Sequence, residues 1–146
     1  MTVHIRPMTS ADYPMVHALW ESCEGVGLSD SDQPQAIDSY LRRNPDMSCV
    51  AVKEGTVVGA ALCGHDGRRG YLYHLAVRPV YRHQGIARHL VAHCLDALQR
   101  AGIAKCHLFI FATNEAGQDF WRHTGWRLRR DLAVASYSLE ARLEKT

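Results

Sequence analysis

Arg82-His83-Gln84-Gly85-Ile86-Ala87-Arg88 follows closely on an apolar run, Leu75-Ala76-Val77, and opens an amphipathic one. A strand that turns through a glycine into a helix leaves the first helical N–H groups without partners. It also points the positive end of the helix dipole at the same place. Gly85 has no Cβ to hold a bulky anion away, and Ala87 is small enough not to obstruct it. Arg82 and Arg88 can add charge-assisted hydrogen bonds. The chemistry expected here is the binding of a phosphate, with the amides of His83 to Arg88 as its cradle. A glycine that only shapes a strand-to-helix turn is the competing reading.

Just upstream, Tyr71 and Tyr73 stand two residues apart. Strand alternation places Tyr71, Tyr73, Leu75 and Val77 on one face and Leu72, His74 and Ala76 on the other. Two phenols on one face can relay protons or simply pack between sheet and helix. On that alternation His74 is expected to be a core histidine with its hydrogen bonds satisfied. His89 and His93 are four residues apart, but no third ligand follows by spacing, so no metal site is expected. Cys63 and Cys106 lie in apolar runs and are expected to be inert thiols.

The elements that must position these residues can be read from hydrophobic period. Val3 to Arg6 reads as a short strand, and Thr9-Ser10-Ala11-Asp12 supplies capping chemistry for a helix carrying Met15, Val16, Leu19, Trp20 and Cys23. A polar segment from Glu24 to Asp32 follows, then a helix over 34–43 that stops before Asn44-Pro45. Ser48 to Lys53 and Thr56 to Cys63 form a hairpin across Glu54-Gly55, and a second turn over 64–70 leads into a strand over 71–77. Ile86, Ala87, Leu90, Val91, Cys94, Leu95 and Leu98 make one helical stripe over 84–100. With a buried strand over 106–112 this gives a βαβ unit with parallel pairing. A short helix from Glu115 to His123 and a pair of strands around 126–129 and 133–139 complete the chain.

Length and charge bound the rest. The 146 residues fit one domain, and a net charge of +2 without a basic block argues against nucleic acid as a partner. Five cysteines without Cys-x-x-Cys spacing suit a reducing compartment. No apolar run is long enough to span a bilayer, so a cytoplasmic location is expected.

Taken together, Arg82-His83-Gln84-Gly85-Ile86-Ala87 after Leu75-Ala76-Val77-x-Pro79, and Asn114 through Phe120-Trp121 to Gly125-Trp126, resemble the GCN5-related N-acetyltransferases, the GNAT superfamily. The resemblance covers nearly the whole chain and is nearest to small single-domain bacterial members. It implies acetyl-CoA as cosubstrate, with pyrophosphate on Arg82, His83, Gln84, Gly85, Ile86, Ala87 and Arg88. It also implies a pantetheine arm along the backbone of Leu75 and Val77, a thioester carbonyl polarised by the N–H of Val77 or Ala76, and cofactor contacts from Asn114 and Trp121. An Asn after a strand is also an ordinary helix cap. Tyr71 and Tyr73 fall on substrate-facing positions, where some relatives carry a glutamate or histidine base. Trp121 stands where many relatives have a tyrosine that reprotonates the thiolate.

The expected fold is therefore mixed α/β: a central, mostly antiparallel twisted sheet of 6–7 strands, splayed between strands 4 and 5 and flanked by about four helices, over a single domain 1–146. The expected activity is acetyl transfer from acetyl-CoA to a primary amine by direct attack in a ternary complex, with Tyr73 and Tyr71 as proton-handling residues. The acceptor is a small molecule or protein; Glu21, Glu24, Asp30 and Asp32, near the acceptor site in this family, favour a cationic one. The protein is expected as a monomer or homodimer. The alternative is a non-catalytic acyl-CoA sensor or partner-binding module, motivated by the missing tyrosine and base.

Overall fold

The computed structural model describes residues 2–143 and resolves the chain into two compact units, residues 1–114 and 115–146. The first begins with β1 (His4–Pro7), α1 (Tyr13–Ser22) and α2 (Pro34–Arg43). The hairpin strands β2 (Cys49–Lys53), β3 (Thr56–His65) and β4 (Gly70–Val77) follow, then α3 (Ile86–Arg100) and β5 (Cys106–Leu108). The strands form one sheet in the order β1-β2-β3-β4-β5, antiparallel except for β4 with β5.

The mostly antiparallel sheet and the parallel last pair agree with the sequence reading. Five strands are found among the described residues, fewer than the 6–7 expected. The expected strands around 126–129 and 133–139 are absent there, and a short helix, α5 (Leu139–Leu143), closes the described chain. The strand expected over 106–112 is only three residues long, because Phe109 and Phe111 are exposed rather than buried.

Each face of the sheet has its own helical cover. Val16, Leu19 and Trp20 of α1 and Ile37 of α2 pack with Val50, Ala60, Leu62 and Ala76. On the opposite face α3 brings the fully buried Leu90 and Cys94 against β2 and β3, with Cys49 Sγ 3.8 Å from Cys94 Sγ. Burying such aliphatic side chains contributes about 1.5–3 kcal/mol each, which is what presses the helices onto the sheet.

The entry to α1 is fixed electrostatically. Asp12 is buried, receives two hydrogen bonds from the Arg6 guanidinium at 2.8 Å, and accepts the N–H of Thr9 at 2.8 Å. The Arg6 bond holds its carboxyl below the usual carboxylate range, burial opposes this, and the Thr9 bond adds to the lowering. A depressed pKa in the folded state contributes stability that is complete above the unfolded value and is lost as pH falls through the folded one. Asp12→Asn is therefore expected to cost about 1–2 kcal/mol at pH 7. It should also flatten the loss of stability below about pH 4. Urea midpoints of both proteins between pH 7 and pH 2 check this; parallel curves would exclude the linkage.

The second unit contains α4 (Glu115–His123), stopped at Gly125. The N–H of Gly125 bonds the Arg122 carbonyl at 3.1 Å and that of Trp126 the Trp121 carbonyl at 2.9 Å, a left-handed helix end of the Schellman type. Trp121 is buried, 5.0 Å from the ring of Phe120 and 4.9 Å from that of Trp126.

Candidate active site

Between β4 and α3 the chain makes a short 3-10 turn, Pro79–Tyr81, and then takes positive φ at alternate residues, His83 (64°) and Gly85 (82°). Alternation of this kind turns successive N–H groups toward one side, forming an anion-binding concavity. The first helical bond of α3 runs from the His89 N–H to the Gly85 carbonyl at 3.1 Å, which leaves the N–H groups of Ile86, Ala87 and Arg88 as the unpaired donors of the helix start. A Cβ at Gly85 would meet only His89 Cε1, at 3.9 Å, so the space above the loop is open. His83, Gln84, Gly85 and Arg88 are exposed, while Ile86 is buried beneath them and anchors the helix. These are the features that a pyrophosphate requires, and the residues present fit one.

Arg82 also makes contacts that its sequence position does not suggest. Its Nε donates to the Val77 carbonyl at 3.1 Å and its Nη2 lies 3.9 Å from Cys23 Sγ. The guanidinium therefore braces the end of β4 against the end of α1. Both arginines of the loop are exposed, and Arg88 is carried on α3.

β4 and β5 pair only over Gly70↔Cys106, Tyr71↔His107 and Leu72↔Leu108. Beyond Leu72 the β5-facing edge of β4 has no strand partner among the described residues, and this is the splay expected between strands 4 and 5. Leu75, Ala76 and Val77 lie on that edge, Leu75 half-buried and the other two buried.

The alternation inferred for β4 does not survive the structure. Ala60 pairs with Ala76 and Leu62 with Tyr73, so two steps along β3 match three along β4. The extra residue is a β-bulge at His74, whose φ is 53°. A bulge reverses face parity. Ala76 therefore joins Tyr73 in the cluster with α1 and α2, whereas Val77, opposite Gly59, faces α3. Tyr71 and Tyr73 remain together, with stacked rings 6.3 Å apart.

The same bulge overturns the expectation that His74 points away from the tyrosine face. Its Nε2 is 2.9 Å from Oδ1 of the buried Asp32, its ring lies 5.0 Å from Trp20, and its carbonyl accepts the indole N–H of Trp20 at 3.0 Å. Asp32 also accepts the N–H of Ser29 at 3.0 Å in a capping box, so it is a structural anchor rather than a free charge. Glu21 is similarly engaged, 2.7 Å from His17 Nδ1. Two of the four carboxylates read as an acceptor-attracting group are thus already partnered. A bulge cannot be read from period alone, which is why sequence reasoning missed the His74–Asp32 pair; the available signal was a buried-type Asp three residues after a Ser.

Burial pushes the Tyr73 phenol above its usual range, with the neighbouring Tyr71 adding to the rise. Tyr73 is thus a protonated donor at neutral pH and not a base. Tyr40 of α2, edge-on to Tyr73 at 6.4 Å, is raised further by burial, and its Oη has no hydrogen-bond partner among the described residues. Asn114, at the end of the first unit, bonds the Phe111 carbonyl through its N–H at 3.0 Å. Trp121 lies in the second unit, described above. All five cysteines are free thiols; Cys23, Cys49, Cys63 and Cys94 are buried, and burial pushes Cys106 up to about 12. Among the described residues no cluster of three or more metal-ligating side chains exists.

Comparison with known proteins agrees with this geometry. The sequence pattern of the Acetyltransferase (GNAT) family matches residues 13–126. An acetyltransferase of Pectobacterium atrosepticum is 34% identical over 114 residues, covering 78% of this chain and 80% of that one. One of Photorhabdus laumondii is 36% identical over 115 residues, with 78% and 79% covered. Among solved structures, Ard1 from Thermoplasma volcanium superposes with a TM-score of 0.78 at 17% identity, covering 88% of this chain and 85% of that one. The PaiA N-acetyltransferase from Thermoplasma acidophilum, solved with coenzyme A, gives 0.75 at 18% identity, with 88% and 92% covered. With the anion-binding helix start, the opened β4 edge and these relatives in agreement, the chain belongs to the acetyltransferase (GNAT) family and is an acyl-CoA-dependent N-acetyltransferase.

Proposed function

We propose that this chain acts as one acetyltransferase domain that moves the acetyl group of acetyl-CoA to a primary amine by direct attack within a ternary complex. The observation that carries the reading is the cradle at Gly85 directly following β4, whose edge after Leu72 has no strand partner among the described residues. The N–H groups of His83 to Arg88 hold the pyrophosphate, with Arg82 and Arg88 adding their charge. The unpaired edge of Leu75 to Val77 receives the pantetheine arm as an added strand, and the N–H of Ala76 or Val77 polarises the acyl carbonyl. Asn114 and Trp121 are proposed as further cofactor contacts, by their positions in the family pattern.

Acetyl-CoA supplies an activated acyl group and a leaving thiolate; what the chain must supply is orientation and proton handling. A lysine-type ammonium has a pKa near 10.4, so about one in a thousand is reactive at neutral pH. Tyr71 and Tyr73 hold the water that carries its proton away, and the Tyr73 phenol, protonated at neutral pH, is the donor for the sulfur. The thiols support direct attack: four are buried, and Cys106, half-buried, is held protonated. The protein is proposed to work in the cytoplasm; no helix among the described residues is long and apolar enough to cross a membrane.

The test is incubation of the purified protein with acetyl-CoA and a mixture of primary amines, following free thiol and the acetylated products by mass spectrometry. Thiol release matched mole for mole by an N-acetylated amine is the expected result. Tight binding of acetyl-CoA with no turnover would instead identify a sensor.

A further inference from the structure

Tyr71, Tyr73 and Phe109 form one continuous aromatic surface at the mouth where β4 and β5 part. The Phe109 ring lies 6.3 Å from Tyr71 at an interplanar angle of 20° and 6.1 Å from Tyr73 at 36°. Tyr40 closes one end and His107 the other, 5.9 Å from Tyr71. Phe109 is 59% exposed, whereas the rings it meets, Tyr71 and Tyr73, are half-buried. An exposed ring set beside two half-buried ones at an opened sheet edge offers aromatic faces on which a ligand's ring or ammonium can seat.

Its place in the sheet says what binds there. Tyr73 belongs to the cluster of α1 and α2, while the opposite face is filled by α3, whose N-terminus carries the cradle. Anything that meets an acyl group lying on the β4 edge from the α1–α2 side must therefore cross these rings. Asp32 is buried against His74 and Asp38 is bonded to Arg42, while Glu21, Glu24 and Asp30 are exposed on α1 and on the connection that follows it, outside the aromatic cluster. A polyamine or an aminoglycoside, with three or more ammonium groups, would draw on those carboxylates rather than on the rings. One ammonium over ring faces is well matched by cation–π attraction.

We propose that the acceptor is a primary monoamine with an aromatic ring within a few bonds of its nitrogen, seated on Tyr71, Tyr73 and Phe109; this rests on the N-acetyltransferase reading above. Two sources carry that chemistry, a free arylalkylamine and the amino terminus of a chain beginning with an aromatic residue.

The experiment compares kcat/KM for 2-phenylethylamine, the tripeptide Phe-Gly-Gly, methylamine, spermidine and kanamycin at saturating acetyl-CoA. One of the first two is expected to exceed spermidine and kanamycin by about tenfold or more, and which of them leads identifies the source. Phe109→Ala is expected to cut the preference for the aromatic amine over methylamine by about tenfold, through KM. Phe109→Leu, which keeps bulk without a ring, should show most of the same loss and so serves if the alanine variant is unstable. Preference for spermidine or kanamycin, or an unchanged aromatic-to-methylamine ratio in both variants, overturns the proposal and leaves the N-acetyltransferase reading standing. Absence of thiol release with every amine, with acetyl-CoA bound, defeats both.

Discussion

Gly85→Arg is expected to weaken coenzyme A binding by more than about a hundredfold, as measured by calorimetry, while leaving the far-ultraviolet circular dichroism unchanged. Gly85 sits at φ 82° with open space where a Cβ would project, at the start of the helix whose first N–H groups, those of Ile86, Ala87 and Arg88, are unpaired. A side chain there occupies the volume the anion needs, and removing several charge-assisted bonds at once is worth at least the roughly 2.7 kcal/mol that a hundredfold represents. The left-handed backbone costs any non-glycine residue about 1–2 kcal/mol as well, so a modest loss of thermal stability accompanies the effect. Gly85→Asn separates the two contributions, because Asn tolerates this conformation and is short. It should keep most of the stability and fall between wild type and Gly85→Arg in affinity. Undiminished affinity in Gly85→Arg would remove the cradle from the site.

The second large effect is on stability. Asp32→Ala is expected to destabilise the fold by about 3 kcal/mol or more, because it strips a buried partner from His74 Nε2 and from the Ser29 N–H together. His74 is already held at φ 53°, a conformation that persists only where its surroundings determine it. Asp32→Asn keeps an acceptor for the Ser29 N–H and a polar contact for His74, and should lose about half as much. Urea denaturation measures both. A loss under about 1 kcal/mol for Asp32→Ala would show that the pair is incidental to the fold.

Much of the site was legible because its signals are local. The loop of Arg82 to Arg88 and the helix after it follow from a glycine, a small residue and a change of hydrophobic period, all within a few positions. α2 appears with the predicted bounds, since Pro34 opens it and Asn44-Pro45 closes it. What the sequence hid depends on residues far apart in the chain. Period 2 cannot register one extra residue, so the bulge at His74 appears only once β3 is laid beside β4. The charge of Arg82 said nothing of its bond to the Val77 carbonyl. The apolar run over 106–112 looked like a buried strand because exposure of Phe109 and Phe111 at an opened edge has no local signature.

The thiols packed under α3 give this protein an internal clock for its own breathing. Cys49, Cys63 and Cys94 are fully buried between α3 and the sheet, and Cys94 is held firmly protonated by its neighbours and by burial. An alkylating reagent can reach them only when α3 lifts away, so their labelling rate reports how often the core opens and what that opening costs. Cys106, half-buried on β5, provides the comparison from outside that core. Because α3 also presents the cradle, a bound pyrophosphate that ties the helix start in place slows labelling in proportion to its occupancy. Ligand affinity and the opening of the sheet–helix core are thus read on one scale, without adding a probe to the chain.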